Sequence, residues 1–119
     1  MTEPNAHAHY HDPSDREYIR ALKEHTPGAL AAFAAFDDAA LRAPDRAIPR
    51  KYTELMALAV GLTTQCVYCI DGHVAAAKAE GATQQEVAET VFVTAALRAG
   101  GGMAHGLMAL KLYDGAGAG

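Results

Sequence analysis

Tryptophan is absent from the 119-residue chain, phenylalanine occurs three times, cysteine twice, and no run of basic residues appears anywhere. A formal net charge of −4 with no clustered Lys or Arg excludes the electrostatic footprint of sequence-independent nucleic-acid binding. No segment reaches the roughly 18 uncharged apolar residues that a membrane-spanning helix requires. The opening MTEPNAHAHYHDP carries no cationic apolar leader. A cytoplasmic protein with neither membrane nor nucleic acid as partner is expected. In that compartment thiols are kept reduced, so a CxxC is more often catalytic or metal-binding than a staple. The length allows one domain and a modest core.

Alanine is what the chain has in excess, with 27 residues. It is the best helix former and a poor core filler. Close helix packing through small residues is therefore expected, with further apolar burial between subunits.

Residues 1–12 lack apolar periodicity and read as a polar tail, in which His7, His9 and His11 alternate. Ser14 as N-cap with Glu17 at N3 predicts a first helix to about His25, whose imidazole suits the negative end of the dipole. Pro27 opens a second helix, with Leu30, Phe33, Ala34 and Leu41 on one face. Pro49 starts a third, in which Tyr52, Leu55, Met56, Ala59 and Leu62 keep helical spacing. A fourth follows the cysteines and stops at Gly81 in the left-handed conformation. Thr83 and Glu86 form a second capping box for a fifth helix to about Arg98. Gly100, Gly101 and Gly102 then free the backbone, and a short last helix runs from Met103 to about Tyr113. No stretch alternates with period two, so the fold is expected to be all-α, with a helical domain over 13–113 and a flexible tail over 114–119.

The chemistry concentrates in Cys66-Val67-Tyr68-Cys69-Ile70-Asp71-Gly72-His73, read with Glu54. If the third and fourth helices form an antiparallel hairpin with its apex near Gln65, Glu54 lies roughly 16 Å down one arm, Cys69 roughly 6 Å and His73 roughly 12 Å down the other. Cys69 and His73 share a face at i and i+4, while Asp71 points away. The order is carboxylate, imidazole, thiol, with Glu54 reaching the sulfurs through His73, Tyr68 or a water. A helix N-terminus and a neighbouring imidazolium both lower a thiol pKa, and Cys69 is placed to receive both. Its thiolate is suited to attack a peroxide oxygen and form a sulfenic acid that condenses with Cys66. An external dithiol then reduces the disulfide, and His73 or Glu54 supplies the proton to the leaving oxygen.

The segment from Glu54 to His73, followed by an alanine-rich helix and Gly81-Ala82-Thr83, resembles the core of alkyl hydroperoxidase D (AhpD), in the AhpD-like branch of the carboxymuconolactone decarboxylase family. The resemblance spans about residues 20 to 112. It implies an all-helical bundle of a single repeat, with the CxxC at the head of a central helix, assembling as trimers or hexamers. It also implies cofactor-free, thiol-dependent hydroperoxide reduction, with a lipoyl-type or thioredoxin-like dithiol as reductant. Carried over, Cys69 matches the peroxide-attacking thiol, Cys66 the resolving thiol, and Glu54 and His73 the proton relay. This chain departs from AhpD at Tyr68, where AhpD has a histidine; a phenol with a pKa near ~10 is the weaker base at neutral pH.

Three other readings compete. A zinc site would take Cys66, Cys69, His73 and, as a fourth ligand, His105, which otherwise opens the last helix and either caps a helix or approaches the site in the trimer. Lactone decarboxylation needs acid–base groups and leaves the cysteine pair unexplained. A redox sensor or interaction protein would share the disulfide switch without turnover.

Overall fold

The computed structural model describes residues 11–117, and among them every regular element is helical. A 3-10 turn, Pro13–Tyr18, runs into α1 (Ile19–His25); α2 (Pro27–Leu41), α3 (Arg50–Thr64), α4 (Val67–Ala79) and α5 (Gln84–Gly115) follow. The all-α class is as the sequence indicates. His25 is the last residue of α1.

The first start differs from expectation. Asp12, not Ser14, is the N-cap, and Asp15 is its capping-box partner. The Ser14 amide and hydroxyl both donate to the Asp12 carboxylate, at 3.0 and 2.8 Å. A carboxylate accepts more strongly than a hydroxyl, so it displaces serine from the role. Asp12 is thus structured, while the expected tail over 1–10, with His7 and His9, lies outside the described residues.

α3 and α4 form the expected hairpin. Gln65 adopts the left-handed conformation at φ 57° and caps α3, and the Cys66 amide returns to the Gly61 carbonyl at 2.9 Å. Gly61 faces Cys69, while Glu54, farther from the turn, meets His73, so the two helices run antiparallel. α5 lies across α3, tied by a 2.9 Å Lys51–Glu86 ion pair and by Arg98 donating to the Thr63 carbonyl. Glu86 also completes the Thr83 capping box as expected. Hydrogen bonds from the Thr83 amide, then the Lys51 ammonium, hold its carboxyl below the usual glutamate range.

The buried set is small: Leu58, Ala77, Thr53, Glu54 and Thr94. The ridge of α3 that turns inward is Thr53, Glu54, Leu58 and Gly61, whereas Tyr52 and Met56, expected on the inner face, are exposed. Polar Thr53 and Glu54 hid this ridge from a search for apolar periodicity.

The second difference is α5. The expected break at Gly100–Gly102 does not occur; one helix of 32 residues continues through Asp114 and Gly115, where a tail was expected. Glycine weakens a helix by roughly 1 kcal/mol relative to alanine but does not end one unless the backbone turns left-handed. Gly81 does turn, at φ 90°, and stops α4; the three consecutive glycines keep negative φ.

The surface is unusually large. It measures 9418 Å², against roughly 6,200 Å² for a compact monomer of this mass. Phe33 and Phe36 of α2, and Phe92, Leu97, Met103, Leu107 and Tyr113 of α5, are all more than 60% exposed.

The two kinds of glycine predict opposite responses. Gly81→Ala is expected to lower the unfolding free energy by about 1 kcal/mol, because alanine resists positive φ. Gly101→Ala, where an added Cβ meets no atom within 4 Å, is expected to raise it by about 0.5–1 kcal/mol. Urea unfolding of both variants beside the parent checks the signs.

Candidate active site

The site is built where α4 begins against α3. Cys66 is the N-cap of α4, and its sulfur accepts from the Cys69 amide at 3.3 Å. Cys66 and Cys69 are joined by a disulfide, with Cα atoms 5.2 Å apart. α4 comes this close because residue 61 is glycine: a Cβ there would sit 3.2 Å from the Cys69 Cβ.

Below the disulfide, the His73 Nδ1 lies 2.6 Å from Glu54 Oε2. The other carboxylate oxygen, Oε1, accepts from Arg50 Nε at 2.7 Å. Glu54 is only 1% exposed. Burial pushes its carboxyl upward, but the hydrogen bonds from His73 and Arg50 outweigh it and hold the group below the ordinary glutamate value. Glu54 is therefore ionised at neutral pH. Sequence reasoning missed Arg50, although its i, i+4 spacing to Glu54 was a readable signal.

A cavity of about 340 Å³ opens on this arrangement, lined by Cys69 and His73 at one side and by Thr53, Met56, Ala57, Val60, Gly61 and Thr64 along one stripe of α3. Leu41 and Arg46 close it. The expected order of carboxylate, imidazole and sulfur is present, with the imidazole and one sulfur sharing the cavity wall.

Tyr68 is placed differently. Its hydroxyl donates to the Asp15 carboxylate, and it is not among the residues that line the cavity. That hydrogen bond raises the phenol pKa and lowers that of Asp15. The His11 ring lies 5.7 Å from the Tyr68 ring. Arg16 donates to the Tyr68 carbonyl at 3.3 Å and pairs with Asp71 at 2.9 Å, so Asp71 does point away from the cavity, toward the N-terminal segment. No sequence signal tied residues 15 and 16 to residue 68.

His105 lies exposed in the middle of α5 and neither caps nor opens a helix, because the expected break is absent. Among the described residues no three His, Cys, Asp or Glu side chains converge as metal ligands, so the set proposed for zinc is not assembled.

The depressed pKa of Glu54 fixes the sign of a pH effect. Its folded value lies below its unfolded one, so its contribution to stability is complete above about 4.5 and is lost as pH falls through the folded pKa. Urea midpoints measured between about pH 3 and 6 should fall on acidification in the parent. The same series in Glu54→Gln should show a shallower fall, and parallel curves would deny Glu54 this role.

The profile of the carboxymuconolactone decarboxylase family matches residues 27–112. The chain is 41% identical over 88 residues to uncharacterized protein 4 of the cox locus of Paracoccus denitrificans, covering 70% of this chain and 79% of that one. It is 29% identical over 94 residues to an uncharacterized protein of Cupriavidus necator, covering 79% and 81%. A crystal structure of an apo carboxymuconolactone decarboxylase family protein from Legionella pneumophila superposes with a TM-score of 0.63 at 26% identity, over 69% of this chain and 71% of that one. With its helical fold, its CxxC at the head of α4 and a match across most of its length, the chain belongs to the carboxymuconolactone decarboxylase family, within which AhpD-like proteins fall.

Proposed function

We propose that the protein is a thiol-dependent hydroperoxide reductase. The observation that carries this reading is the Cys66–Cys69 disulfide beside a cavity whose wall holds both Cys69 and a carboxylate-paired His73. Reduction gives two thiols. The Cys69 thiolate attacks the terminal peroxide oxygen, the O–O bond breaks, and Cys69 becomes a sulfenic acid while an alkoxide leaves. A protonated His73, held by Glu54, delivers the proton that makes the alcohol. Cys66, as thiolate, attacks the sulfenic sulfur; hydroxide leaves, is protonated to water, and the disulfide returns. An external dithiol of lipoyl or thioredoxin-like chemistry then supplies two electrons by exchange.

Each residue has one role in this cycle. The cavity presents Cys69 to substrate, the N-cap position of Cys66 favours its thiolate, and Arg50 acts through Glu54 as a positioning residue. A second reading, acid–base decarboxylation of a lactone, draws on the same His73–Glu54 pair but gives the disulfide no part. A redox sensor without turnover keeps the disulfide and leaves the proton relay idle.

We also propose that the protein is a homo-oligomer, a trimer or hexamer, in which the apolar faces of α2 and α5 are covered by other copies. The exposed aromatic and aliphatic side chains on both helices support this. Light scattering at micromolar concentration is expected to give a multiple of 12.5 kDa, and a monomeric mass would remove the proposal.

Steady-state peroxide consumption with a dithiol reductant tests the chemistry. Cys69→Ser is expected to abolish it, and Cys66→Ser to stop after one turnover with a sulfenic acid that a dimedone-type probe captures. Glu54→Gln should slow thiol oxidation on the order of 10²-fold. Rates equal to the parent in both cysteine variants would refute the mechanism; loss of lactone decarboxylation in Glu54→Gln with no peroxide consumption in the parent would favour the lyase.

A further inference from the structure

The reading above leaves Arg46 without a part, although it stands on the wall of the same cavity. Its Nη1 donates to the Leu41 carbonyl at 3.2 Å and to the Thr53 hydroxyl. These two bonds use both protons of that nitrogen. Among the described residues its Nε and Nη2 make no hydrogen bond, and no carboxylate pairs with it. Its neighbours in sequence are different: Arg42 is paired with Asp37 and Asp38, and Arg50 with Glu54. Among the described residues that line the cavity, none is acidic.

The geometry separates two ends. Cys69 lies against Gly61, and Arg46 is bonded to Thr53. Thr53 and Gly61 share one stripe of α3, two turns apart, or about 12 Å at ~1.5 Å per residue. Between them the wall is Met56, Ala57 and Val60. The cavity therefore offers a sulfur at one end, an apolar passage, and a guanidinium whose Nε–Nη2 edge is a planar two-donor fork at the other. That edge matches a carboxylate, which accepts two parallel N–H bonds.

We infer that Arg46 is a specificity-determining residue, and that the preferred ligand is an amphipathic monocarboxylate whose anion sits on Arg46 and whose apolar body runs along α3 toward Cys69. Under the peroxidase reading, on which the reaction half of this inference rests, the substrate class is an apolar hydroperoxide bearing a carboxylate remote from its peroxide group. Arg46 binds the end of the substrate that does not react.

The test has an equilibrium arm and a kinetic arm. In reduced protein, alkylation of Cys69 by iodoacetamide is followed with decanoate, decanol or decyl phosphate present. Decanoate is expected to protect at least ten-fold more effectively than decanol, with decyl phosphate weaker than decanoate; Arg46→Gln should bring decanoate down to decanol, and Arg46→Lys should restore part of the gap. In the kinetic arm, a fatty-acid hydroperoxide is compared with its methyl ester, and the parent's preference for the acid should appear mainly in KM and fall toward one in Arg46→Gln. Equal protection by decanoate and decanol in the parent overturns the inference without any variant, and equal protection by decyl phosphate overturns the carboxylate assignment. A preserved decanoate preference with no peroxide consumption would refute the peroxidase reading while the binding assignment stood.

Discussion

Glu54 carries a charge where almost no water reaches it, and the arrangement of α3 and α4 follows from satisfying that charge. An isolated buried carboxylate is costly enough that it would take up a proton. Here each oxygen has a nitrogen donor, one from the preceding turn of its own helix and one from α4. The intrahelical bond to Arg50 is local and forms with α3. The bond to His73 requires α4 to lie antiparallel at one register, so the polar contact selects how the two helices pair. Removing one partner of such a group commonly costs several kcal/mol, because the remaining charge stays buried. The geometry of the Glu54–His73 pair and the hairpin register are thus set by the same bonds.

Much of this was readable from residue order. Helix starts at Pro27 and Thr83, the stop at Gly81, the turn at Gln65 and the alignment of Glu54, His73 and Cys69 all rest on local rules: caps, positive φ and the rise per residue. What the sequence hid was contact across distance or competition among similar groups. Two oxygen-bearing side chains two residues apart, Asp12 and Ser14, both fit a capping rule, and only the stronger acceptor takes the role. The buried ridge of α3 is polar at two of its four positions, so apolar periodicity pointed a residue or two away. The contact of Asp15 and Arg16 with Tyr68 spans more than fifty residues and has no local signature.

The glycines of α5 illustrate a different limit. A run of three reads as flexibility when each residue is scored alone, but a helix responds to whether an alternative conformation has somewhere to go. At Gly81 the reversed backbone lets residues 80 to 82 return hydrogen bonds to α4. At Gly100 to Gly102 no such return exists, and continuing the ladder is the better course.

Cys66 holds two positions at once, since its sulfur belongs to the disulfide and also receives the Cys69 amide in the first turn of α4. A thiolate is a stronger acceptor than a disulfide sulfur, so the same amide offers Cys66 a partner in either oxidation state. In the proposed cycle the electrons would thus enter and leave at sulfurs anchored to a helix start rather than on a free loop.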